Sequence, residues 1–179
     1  MSCPAHLALE EDWAAIERAV ARHWSDLKLE AGEHDLARYV HAYPTVEGKT
    51  LWHCFRFGFE SYRGLPPSVL CVHPLTKELA RANYTPWWPQ VTGQPYVNLQ
   101  PTSEPPYFCF PYTLECIRTH GPAGDPHHRW SAETHTVYAT LKEMRRILRP
   151  TYYRGYFDVS FEEKLRDQLA TKPSAFAPW

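Results

Sequence analysis

Between Pro66 and Pro126 the chain mixes prolines and aromatic residues so densely that neither a long helix nor a regular sheet can run through it. Proline lacks an amide donor and fixes its own φ, so each one interrupts a helix or a hydrogen-bonded ladder. Tryptophan and tyrosine bring large apolar surfaces that have to be buried. The chain holds 17 prolines, 7 tryptophans, 11 tyrosines and 8 phenylalanines, and many of these fall in this stretch. The expectation is a long, ordered, mostly irregular segment, a feature that in compact domains is often functional.

The flanking sequence supplies the framework. Trp13, Ile16, Val20, Trp24 and Leu27 recur at spacings of three and four, which predicts a helix from about Leu9 to Leu29 ending near Gly32. Alternation predicts strands from Asp35 to Tyr43 and from Thr50 to Phe59, joined through the turn residues Pro44 to Gly48. A short strand follows at Ser68 to Val72. Within the irregular stretch, Lys77 to Asn83 suits one or two helical turns and Tyr107 to Phe110 a short strand. Ser131 is a candidate N-cap for a helix striped by Val137, Leu141, Met144 and Leu148 and stopped by Pro150. A capping box at Ser160 to Glu163 opens a last helix running to about Leu169. The order predicts one α+β domain over residues 1–179, an antiparallel meander of about four strands with helices on one face. Residues 1–8 and 173–179 are expected to be loose.

Lys plus Arg number 19 against 20 for Asp plus Glu, a balance that argues against nucleic-acid binding by phosphate neutralisation. No apolar run reaches the roughly 20 residues a membrane helix needs. The opening Met-Ser-Cys-Pro-Ala-His has neither a basic region nor an apolar core, so no secretory signal is expected. Five cysteines at uneven spacing (Cys3, Cys54, Cys71, Cys109 and Cys116) read as free thiols of a cytoplasmic protein. Cys54 and Cys71, inside expected strands, suit small core positions.

Phe55-Arg-Phe-Gly-Phe59, then Tyr62-Arg-Gly-Leu-Pro-Pro67 and Ser68-Val-Leu-Cys-Val72, then Trp130-Ser-Ala-Glu-Thr134 resemble, in that order, the strand, turn, strand and central-helix opening of the E2 ubiquitin-conjugating family. The resemblance spans roughly Leu9 to Pro150 and implies an E2-like fold of bacterial type. It implies a cysteine that carries a ubiquitin-like protein as a thioester, an asparagine that stabilises the oxyanion, and an E1-like adenylating enzyme and the modifier as partners. Tyr96-Val-Asn98 followed by Tyr107-Phe-Cys-Phe110 is the local match, making Cys109 the acceptor thiol and Asn98 the oxyanion donor. Thioester exchange needs an accessible thiol and a positioned donor, and no dedicated base.

Glu115-Cys116-Ile-Arg-Thr-His120, followed by His127-His128 after a Gly/Pro loop, is the densest cluster of metal-ligand residue types. Sulfur and imidazole donors suit Zn²⁺, with Glu115 or Asp125 as an oxygen donor. Cys109, Glu115, His120 and His127 also occur in the order of a predicted metal-binding family named for Cys, Glu, His and His. That family's genes lie beside bacterial ubiquitin-like conjugation genes. The alternative to a thioester carrier is therefore a non-catalytic zinc-binding accessory protein of the same pathway, in which Cys109 can also be a ligand, or an inactive E2-fold adaptor. Cys109, flanked by Phe108 and Phe110, equally suits a packing role, and His127-His128 a solvated loop.

Overall fold

The computed structural model describes residues 4–94, 97–121 and 129–178. Its first helix, α1 (Pro4–His23), buries Ala5, Leu9, Trp13 and Ile16. It ends earlier than the stripe predicts. Leu27 continues the helical spacing, but Leu27 and Leu29 alternate with Lys28 and Glu30 and form the first strand, β1 (Leu27–Ala31). Gly32 sits in the following turn, where a Cβ would lie 2.3 Å from the backbone of Ala37. Only glycine permits that approach.

β2 (Ala37–Ala42) pairs antiparallel with β1. A small hairpin of β3 (Thr45–Val46) and β4 (Lys49–Thr50) interrupts the link to β5 (His53–Gly58), which pairs with β2. β6 (Ser68–Val72) completes a four-stranded antiparallel sheet ordered β1-β2-β5-β6. The fold is α+β, as the pattern predicts.

Register assigns the two faces. Leu29, Val40, Phe55 and Cys71 line up across the sheet, as do Phe57 and Val69, and all belong to the main core with Leu9, Trp13 and Ile16 of α1. Tyr39, Cys54 and Val72 form a small cluster of their own, on the strand positions that alternate with those of the main core. β5 is thus buried on both faces, with Arg56 its one half-buried residue.

After β6 the chain is irregular. β7 (Pro89–Val91), β8 (Asn98–Gln100) and β9 (Tyr107–Cys109) are short, and a seven-residue helix, α2 (Leu114–His120), follows. β8 pairs with β9 as an isolated ribbon. The helical turns expected over Lys77 to Asn83 are absent: that stretch is turns and isolated bridges, with Lys77 and Asn83 at positive φ.

α3 (Val137–Ile147) buries Val137, Thr140, Leu141, Met144 and Ile147 in the main core. Its N-cap is Thr136 rather than Ser131, whose carbonyl instead accepts from the amides of Thr134 and His135 in a preceding turn. β10 (Tyr153–Tyr156), not anticipated, pairs with β7. α4 (Phe161–Thr171) starts where expected, but the Ser160 hydroxyl bonds Asp158 at 2.7 Å and makes no cap bond, so the capping box does not form.

Within the two ends expected to be loose, described residues are held in place. Residues 4–8 belong to α1, and Phe176 stacks on the buried His41 with centroids 4.2 Å apart while its carbonyl accepts from Tyr43 at 2.6 Å. No described helix is long and apolar enough to cross a membrane.

Candidate metal centre

α2 is short, so its position depends on polar anchors as much as on burial. Thr113 is its N-cap: the side-chain oxygen accepts from the Cys116 amide at 3.2 Å and the hydroxyl donates to the Phe110 carbonyl at 2.7 Å. Gly121, at φ +74°, closes the helix by donating to the Ile117 carbonyl. The Leu114 amide donates to the Pro67 carbonyl at 3.0 Å.

Glu115 supplies the strongest tie. Its carboxylate, 3% exposed, accepts from the Ser68 hydroxyl at 2.6 Å and the Val69 amide at 2.9 Å, joining α2 to β6. Burial pushes its pKa up, while the two hydrogen bonds act in the opposite direction. At the other end of the helix, Tyr107 of β9 reaches the Thr119 hydroxyl at 3.0 Å, and that hydroxyl donates to the Glu115 carbonyl.

These anchors set one helix face against the end of β9. Cys116 and His120 are four residues apart and share that face. Cys109, the last residue of β9, stands beside them. The sulfurs of Cys109 and Cys116 and an imidazole nitrogen of His120 all lie within 4.8 Å of one another. A tetrahedral Zn²⁺ with Zn–S distances of about 2.3 Å holds two sulfurs about 3.8 Å apart. The trio therefore needs only a small contraction to bind one.

The electrostatics of the two thiols differ. Cys109 is fully buried and Cys116 half-buried. The Cys109–Cys116 hydrogen bond raises the Cys109 pKa, with burial adding to the rise, and lowers that of Cys116 against the opposing effect of burial. A divalent cation displaces the thiol protons and takes both sulfurs as thiolates.

Of the residues singled out from sequence, Cys109, Cys116 and His120 converge. Glu115 is adjacent in the chain but spends both oxygens on β6. His127, His128 and Asp125 lie outside the described residues, as does Tyr96. Asn98 is exposed on β8 and pairs in register with Cys109. Cys54 and Cys71 are buried core thiols, that of Cys54 pushed up to about 12 by burial. The anchors Thr113, Tyr107 and Thr119 escaped the sequence reading, although a Thr three residues before Cys116 and Gly121 at the far end are readable cap signals. No protein-family model matches the chain, and no curated protein is significantly similar to it in sequence.

Proposed function

We propose that Cys109, Cys116 and His120 form a zinc site, and that the chain is a metal-stabilised, non-catalytic accessory protein of ubiquitin-like conjugation built on an E2-like domain. The observation that carries the metal reading is the convergence of two sulfurs and an imidazole within 4.8 Å of one another. The full burial of Cys109 supports it against a thioester role, because a carrier thiol has to meet a partner's carbonyl carbon. The E2-like half rests on the order helix, four-stranded meander, irregular segment and helix, together with the motifs that resemble that family.

Zinc here ties β9 to α2 and leaves a fourth position for water or another side chain. Titrating metal-free protein with Co²⁺ tests the site. A saturable thiolate-to-metal charge-transfer absorption, lost in the Cys116→Ala/His120→Ala double variant, is expected. No such absorption, or the same absorption in the double variant, overturns the reading.

One observation favours the thioester carrier instead: Asn98 is the register partner of Cys109. A reducible adduct formed with an E1-like enzyme, a ubiquitin-like protein and ATP, and abolished by Cys109→Ser, is the result that selects this second reading.

A further inference from the structure

A cleft on a different part of the molecule runs between α4 and the segment from His73 to Trp87. It encloses about 480 Å³ and is lined by His73, Tyr84, Trp87 and Phe161 with Arg81, Lys164 and Glu78 among its polar residues. Its size suits a small organic ligand.

The floor is fixed. The His73 ring stands nearly perpendicular to Trp87 and to Phe161, at centroid distances of 5.0 and 5.3 Å. Its Nδ1 accepts from the amides of Leu75 and Thr76, which leaves the other ring nitrogen to meet Gln168 of α4. Trp87 is 6% exposed, and among the described residues nothing accepts from its buried indole N–H.

The lip is fixed too. Lys77 and Asn83 bracket it with φ of +65° and +61°, backbone conformations that non-glycine residues hold at a cost and that concentrate at ligand sites. The Asn83 amide is tied to the Pro101 carbonyl at 2.7 Å, and Tyr84 to Arg81 at 2.8 Å. On this lip Tyr84 presents a ring that is 61% exposed, at 90° to Trp87.

The charged residues of the lining are two cations, Arg81 and Lys164, and one carboxylate, Glu78. Lys164 bonds Asp158 at 2.9 Å in a solvent-facing pair, the kind of contact an anionic ligand exchanges readily. A bare quaternary ammonium is disfavoured by the cations, and a purely apolar ligand makes use of neither.

We infer that this cleft binds a planar aromatic body carrying an anionic group, the chemistry shared by nucleoside monophosphates and aromatic carboxylates. The ring stacks on Tyr84, and the anion meets Arg81 and Lys164. This inference is independent of the metal site.

Ligand-observed saturation-transfer NMR and calorimetry with the whole protein test it. The probes are adenosine and uridine monophosphate, indole-3-carboxylate, the unphosphorylated nucleosides and inorganic phosphate. At least one aromatic anion is expected to bind saturably, about tenfold or more tighter than its nucleoside or than phosphate alone, and a nucleotide or carboxylate preference identifies which source the cleft serves. Tyr84→Ala and Arg81→Glu, both at exposed positions, are each expected to weaken that binding about tenfold while leaving the dispersed amide spectrum unchanged. Absence of binding by every aromatic anion at millimolar concentration overturns the proposal. So does binding that either variant leaves unaltered, or a nucleoside that binds as well as its phosphate.

Discussion

The four-stranded sheet and the segment from His73 to Gly121 are held by different means. In the sheet, register decides everything. Leu29, Val40, Phe55 and Cys71 sit side by side across four strands and enter a core shared with α1 and α3. A slip of one residue would turn this row to the opposite face. The segment from His73 to Gly121 has strands of three residues and a helix of seven, too short to define themselves. It is located by individual bonds: Glu115 to Ser68 and Val69, Thr113 to Phe110 and Cys116, Tyr107 to Thr119. Generic burial builds a platform, and particular side chains then place the sulfur and imidazole donors on it.

The contrast makes the sheet the costlier place to cut. Phe55→Ala, at a fully buried position in the central strand, is expected to cost about 3–5 kcal/mol of global stability, measured by urea unfolding. A loss under 1 kcal/mol would mean that the sheet is not the platform.

Acid attacks the seam between the two regions. His53 of β5 donates one ring N–H to the Trp87 carbonyl at 3.0 Å and accepts from the Tyr153 hydroxyl at 2.6 Å. Burial lowers its pKa from 6.5 to about 3. His41, buried beneath Phe176, is lowered to about 4, chiefly by burial and then by the charge of Lys77. In the unfolded chain both bind protons near pH 6.5, so stability is full above that pH and is lost as pH falls towards 4. Thermal midpoints measured between pH 8 and pH 4 should fall by an amount equivalent to a few kcal/mol, and His53→Gln should flatten much of the slope. A midpoint independent of pH over this range would contradict the buried neutral histidines.

Metal acts on the other region. With Zn²⁺ at about 100 times its Kd, the protein should gain about 2.7 kcal/mol, and hydrogen exchange should slow first in β9 and α2. Cys116→Ala/His120→Ala should abolish both effects and leave exchange in β2 and β5 unchanged. Glu115→Ala removes both ties to β6 and is expected to cost about 1–3 kcal/mol, whereas Glu115→Gln, which keeps an acceptor, costs less. Thr113→Ala, the smallest cut, should cost about 1 kcal/mol through the lost cap and weaken Zn²⁺ binding by displacing Cys116. Calorimetry reads both terms.

The same division explains what was legible in the sequence. Period-two alternation located β2 and β5 to within a few residues, because those strands lie in a sheet whose burial writes that pattern, and the short run from Ser68 to Val72 matches β6 to the residue. The over-long first helix shows the limit: Leu27 satisfies the helical spacing and the strand alternation at once, and only pairing with Ala42 decides. The Ser131 cap failed for a similar reason, since Thr136, five residues on, is an equally good cap and sits where α3 meets the core. α2 and β10 leave too short a pattern to register. At the candidate site, Cys109, Cys116 and His120 were named by residue type, yet spacing alone did not separate them from Glu115, whose oxygens β6 consumes. Arg145 is bonded to Asp26 and stacked over Trp24, contacts that tertiary packing sets and that no local pattern announces.

The most direct test of the account is the zinc content of the untagged protein, purified without chelator and measured by elemental mass spectrometry. About one zinc per chain is predicted, lost in Cys116→Ala/His120→Ala and in Cys109→Ala, and retained in Glu115→Gln. Protein that purifies without zinc and takes up none on dialysis, or zinc that survives both cysteine variants, would contradict it.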